Sequence, residues 1–182
     1  MNANNANRLP LDRLHERHRL TPFVGGSYTE AASVCLSRHH TSPVEIEITC
    51  GNGSRTCVAE FVQPDAVVRH SWANEIDTTE AGAYGVCLAA VELEHGLVAV
   101  RRAETLTGAD WYVGPVGSTA ADLETLVRLE ISGINSGNRA DVKARLKQKV
   151  KQTRKGKSNL PAIASVAGFS QRVIAIQKVE TV

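Results

Sequence analysis

The chain has 182 residues, 42% of them hydrophobic, with 21 Lys and Arg against 19 Asp and Glu for a formal net charge of +2. That is enough chain for one domain with a real core, and too balanced in charge for a global polycation. No apolar run approaches the length that crosses a bilayer, and the start lacks both the apolar stretch and the cleavage site of a signal peptide, so a soluble cytoplasmic protein without membrane contact is expected.

Residues 1–20 are Asn-rich and lack apolar periodicity, which predicts a flexible or loosely docked segment. Residues 21–182 read as a single α/β domain, with 21–70 as a helix plus β-meander extension and 71–182 as the core. A helix is expected over residues 29–40, capped by Thr29 or Ser27, with Ala32, Cys35 and Leu36 as its apolar stripe and Pro43 as its stop. Val44, Ile46 and Ile48 alternate with Glu45, Glu47 and Thr49, as in a strand buried on one side. Its hairpin partner follows the glycine turn at residues 56–62, and Pro64 and Asp65 lead to a third short strand over 66–70. Cys35, Cys50, Cys57 and Cys87 are expected as free thiols, although Cys50 and Cys57 flank the GNGSRT turn. Cys35 and His39 make half of a zinc site that nothing completes.

Asp77, Thr78, Thr79 and Glu80 suggest a capping box for a helix running to His95 and closed by Gly96. Glu80 stands one turn before Tyr84 and continues the line of Leu88 and Val91, so it either satisfies a backbone amide or lies at the mouth of the core. A strand over 97–102 leads through Thr107, Gly108 and Ala109 to Asp110, and a second strand ends at Gly114 and Pro115. In the strand over 126–131, Val127, Leu129 and Ile131 take one face and Arg128, Glu130 and Ser132 the other. Asp110 and Glu130 could thus meet at the sheet; the bland alternatives are a turn aspartate and a solvated strand glutamate paired with Arg128. Gly137 and Asn138 open a basic helix with the narrow stripe Val142, Leu146 and Val150, and a short helix over 159–168 and a strand over 172–179 finish the chain. The excess of Lys and Arg over residues 139–157 suits a polyanion, an acidic protein, or no more than a solvated face. No glycine loop has P-loop or dinucleotide spacing, and no serine sits on a hydrolase elbow.

The order of a helix with Glu80, a strand, a turn with Gly108 and Asp110, a strand, and Glu130-Ile131-Ser132 on another strand resembles the core of the PD-(D/E)XK nuclease superfamily. The closest likeness is to its restriction-endonuclease-like and Holliday-junction-resolvase-like members, over residues 78–132. The resemblance implies an α/β fold with a mixed central sheet flanked by helices, preceded here by the helix and the antiparallel meander. It implies that Glu80, Asp110 and Glu130 hold Mg2+ or Mn2+, a hard ion that takes carboxylate oxygens and activates water for attack on a phosphodiester. The family's lysine position is Ser132, so the catalytic cation would come from Lys143, Lys147 or Arg128; with Asp110 and Glu130, Lys143 is the catalytic candidate. Lys143, Lys147, Lys151, Arg154, Lys155 and Lys157 would hold DNA by its phosphates. The expected function is a magnesium-dependent DNA nuclease, or a nuclease-fold DNA-binding protein, in DNA processing or defence against foreign and viral DNA. The alternative is a catalytically inactive adaptor in a bacterial assembly, with a protein partner or a second copy of itself.

Overall fold

The computed structural model describes residues 7–180. Chain order is α1 (Leu14–Arg17), α2 (Pro22–Ser37), β1 (Val44–Cys50), β2 (Gly53–Ala59), α3 (Ala66–Ser71), α4 (Glu75–His95), β3 (Leu97–Arg102), β4 (Trp111–Pro115), β5 (Val127–Ile134), α5 (Arg139–Arg154), β6 (Ala162–Gly168) and β7 (Val173–Val179). The fold is α/β, with one seven-stranded sheet in the order β2-β1-β7-β6-β5-β4-β3. It is mixed: β1 runs parallel to β7 and β5 parallel to β6, while the other neighbours are antiparallel. No helix among the described residues is long and apolar enough to cross a membrane.

Helices α2 and α4 cover one face. Leu88 and Val91 of α4 join Leu129, Ile131, Ile163 and Ile174 of the sheet in the main core. α5 covers the other face, where Val142 meets Val166 and Val173, and Val150 meets Ala162 and Val179. Contact on the first face is close enough to dictate glycine. A Cβ on Gly133 of β5 would stand 2.6 Å from the Thr79 carbonyl of α4, and one on Gly85 would stand 2.8 Å from the Tyr28 carbonyl of α2.

The N-terminal segment is docked rather than loose from Asn7 onward; the rest of that expectation, residues 1–6, lies outside the described residues. Leu9, Leu11 and Leu14 are buried. The Leu9 amide donates to Val58 O on edge strand β2, and the Arg19 amide donates to Ala99 O on the opposite edge strand β3. One segment thus bonds to both edge strands and shields them there from further pairing. His18 fastens it: its Nδ1 accepts from the Ala99 amide at 2.9 Å, which leaves Nε2 to donate to Glu92 at 3.0 Å, while Arg17 holds the same carboxylate at 2.8 Å.

Three expected elements differ. The first long helix starts at Pro22, capped by Thr21, because Gly25 and Gly26 are carried inside it rather than breaking it. The meander stops at a hairpin: residues 66–70 belong to helix α3, nucleated by Asp65, whose side chain accepts from the Val68 amide. Residues 162–168, expected within a helix, are the wholly buried strand β6. The four cysteines are free; Cys50 pairs in register with Gly53 and Cys57 with Ile46, so no disulfide spans the hairpin.

Candidate functional site

Asp110 enters the site because β4 and β5 are antiparallel with Trp111 opposite Leu129. The Asp110 amide also donates to Leu129 O, at 2.8 Å, which ties Asp110 to β5 beside Trp111. Asp110 Oδ2 accepts from the Ile131 amide at 2.8 Å, and Oδ1 lies 3.0 Å from the Tyr84 hydroxyl. That hydroxyl is also 2.9 Å from Glu80 Oε1, so its single proton is shared between the helix acid and the strand acid. Arg102 Nη2 donates to the Tyr84 oxygen at 2.8 Å and stands 3.7 Å from Asp110, with its guanidinium 4.4 Å above the Tyr84 ring. Burial and the Asp110 charge push the Tyr84 phenol well above its ordinary range, against the pull of Arg102, so it remains a donor.

Glu130 is 3% exposed, and its Oε1 receives the Lys149 ammonium of α5 at 2.6 Å. Burial raises its carboxyl above the ordinary value, as does the Asp110 charge, while Lys149 opposes both. One helical turn back, Arg145 donates to Ser132 Oγ at 3.1 Å. Thus α5 supplies two cations to the strand that carries Glu130 and Ser132. A cavity of about 500 Å³ opens here, lined by Glu80, Tyr84, Asp110, Ser132, Arg145 and Lys149.

Several expected residues sit elsewhere. Glu80 is not part of a capping box, since α4 begins at Glu75 under an Asn74 cap; it is exposed at the cavity wall, where it accepts from the Tyr84 hydroxyl. Lys143 is exposed and pairs with neither acid among the described residues. Six residues separate it from Lys149, which turns it about 120° round the helix axis. Arg128 is 2% exposed and spends its guanidinium on the carbonyls of Thr107, Thr153 and Leu160, where it offsets the negative C-terminal end of α5. It is a fastening, not a site cation. Lys147, Lys151, Arg154, Lys155 and Lys157 are exposed and reach no acid of the site.

No family model, no curated protein and no solved structure matches the chain. The site therefore stands on its own geometry. Among the described residues no three His, Cys, Asp or Glu side chains converge closely enough to hold a metal ion. Magnesium keeps most of its waters and takes one or two carboxylates together with substrate phosphate; Asp110 lines the cavity, and Glu130 is not among its lining residues. Asp110 keeps one lone pair on each oxygen, and Glu130 Oε2 accepts from no described residue. Lys149, Tyr84 and Arg102 were not singled out by sequence. Lys149 flanks the Val142-Leu146-Val150 stripe as Lys143 does on the other side, and only the direction in which α5 crosses the sheet decides between them.

Proposed function

We propose that the protein is a metal-dependent nuclease of PD-(D/E)XK type acting on DNA. The observation that carries this reading is Asp110 bonded to the β5 backbone at Leu129 and Ile131, on either side of Glu130, whose carboxylate has the Lys149 ammonium 2.6 Å away. It supplies, from α5, the cation that the strand lacks at Ser132. Asp110 and Glu130 would hold Mg2+ or Mn2+, which would supply a water of lowered pKa and charge stabilisation at a phosphate. Glu80 would act through water, since Tyr84 lies between it and Asp110. The chain's own groups do the rest. Tyr84 and the Ile131 amide fix the Asp110 carboxylate, and Arg102 fixes Tyr84. Lys149 neutralises Glu130 and, at the cavity wall, holds a proton-bearing donor where an anionic phosphate would lie. Arg145 places a second cation over Ser132.

The reading is tested by cleavage of plasmid, single-stranded and branched DNA in magnesium and in manganese. Wild type should cut and Asp110→Ala should not, with the fold retained by circular dichroism. Equal cleavage by both would place the activity elsewhere or in a contaminant.

One observation favours the second reading, an adaptor without catalysis. A mainly apolar groove of about 470 Å³ lies between α2 and α3, lined by Pro22, Gly25, Val62 and Val68, and Phe23 beside it is 85% exposed. Such surface marks interaction sites. Absence of cleavage together with capture of a protein through this groove would favour it.

A further inference from the structure

The two flanks of α5 carry different charge environments. Lys149 and Arg145 face Glu130 and Ser132. Lys143, Lys147, Lys151 and Arg154 lie between about 120° and 200° round the axis from Lys149, on the far side. All four are exposed and none forms an ion pair among the described residues. Over eleven residues they span about 16 Å, close to the axial rise of five phosphates on one strand.

The row does not end with the helix. Arg154 also lines a groove of about 560 Å³ with Lys157, Ser158 and Asn159, beside Arg128. Arg128 is a cation 2% exposed whose partners are carbonyls alone, with no carboxylate in ion-pair range. Glu180 is the one acid lining the groove.

We propose that this row and its groove form a second polyanion surface, separate from the cavity, that holds a nucleic-acid backbone without reading sequence. An acidic protein fits less well, because protein interfaces centre on apolar and aromatic groups. The helix between Arg139 and Arg154 exposes Ala, Gln and charged residues but no large apolar side chain. The choice of DNA as the polymer rests on the nuclease reading; the binding itself does not. α5 would then tether the substrate on one flank and supply chemistry on the other.

The test is binding of a labelled duplex and a labelled single strand of mixed sequence, in EDTA, across a salt series. The quadruple variant Lys143→Gln, Lys147→Gln, Lys151→Gln, Arg154→Gln changes only exposed positions and keeps helix-forming residues. Its affinity for duplex should fall about tenfold or more, and its log–log salt slope should shrink by about 3 to 4. Arg145→Gln alone should lower the slope by no more than about 1. An unchanged slope, or polyglutamate binding as tightly as DNA, would overturn the proposal. Failure of the nuclease reading would appear separately, as absent cleavage in magnesium by the wild type.

Discussion

Replacing Lys149 by Met removes the ammonium that faces Glu130 and leaves a carboxylate with 4% side-chain exposure uncompensated. Keeping it ionised would cost about 3–5 kcal/mol, the usual penalty for stranding one member of a buried pair. Glu130 has a cheaper course, which is to take up a proton. From its ordinary value of 4.5, protonation at pH 7 costs about 3.4 kcal/mol at 1.36 kcal/mol per unit, and at pH 5 about 0.7 kcal/mol. These are ceilings, so the variant should lose roughly 2–3 kcal/mol at pH 7 and under about 1 kcal/mol at pH 5. The sign follows from the direction of the shift: a carboxyl raised in the folded state contributes most below pH 4.5, and that contribution is lost as pH rises through the folded value. Urea unfolding of wild type and Lys149→Met at the two pH values measures it. The double variant Glu130→Gln/Lys149→Met should show little of this pH dependence. An equal loss at pH 5 and pH 7, or none at either, would refute the pairing of Lys149 with Glu130.

Other consequences of the geometry are open to measurement. Tyr84→Phe keeps the ring but removes the proton shared by Asp110 and Glu80, so Mn2+ should bind several-fold more weakly by calorimetry while the melting temperature moves little; unchanged affinity would deny Tyr84 its part in setting Asp110. Gly133→Ala drives a methyl to 2.6 Å from the Thr79 carbonyl and should cost about 1–3 kcal/mol in thermal unfolding, as overpacking does. Burial pushes Glu92 up, but the hydrogen bonds from His18 and Arg17 and the Arg17 charge outweigh it and hold the carboxyl below 4.5. Its stabilisation is present above pH 4.5 and lost as pH falls through the lowered value. Glu92→Gln should therefore speed amide exchange at Ala99 and Arg19 near neutral pH, with the difference from wild type closing in acid; equal exchange at neutral pH would count against the clamp.

Much of the sheet was legible because its strands alternate or carry clear punctuation. Val44, Ile46 and Ile48 gave β1, and Gly96 with φ 65° closed α4 as expected. Strand β6 was not legible. Ala162-Ile163-Ala164-Ser165-Val166-Ala167-Gly168 is buried on both faces, so it has no alternation, and its small residues read equally well as helix. Pro22 after Thr21 is a helix start signal, and α2 begins there. Gly25 proves to be a packing residue, since a Cβ there would stand 3.0 Å from the His15 amide nitrogen. At the site, the pattern brought Asp110 and Glu130 to neighbouring strands, but it did not show that Asp110 bonds toward α4 through Tyr84 while Glu130 bonds toward α5 through Lys149. The choice of Lys149 over Lys143 was not legible either, because both border the buried stripe of α5 and the helix crossing that selects one flank is a tertiary property. Arg128 shared the strand face of Glu130 in sequence, yet three carbonyls at the end of α5 capture it.

The most direct test of the central claim is magnesium-dependent DNA cleavage by wild type, Lys149→Ala and Lys143→Ala under identical conditions. Wild type and Lys143→Ala should cut at comparable rates on a short substrate, and Lys149→Ala should be slower by about a hundredfold or more, the scale of a lost catalytic cation or proton donor. Undiminished cleavage by Lys149→Ala, or no cleavage by the wild type in either metal, would contradict the account.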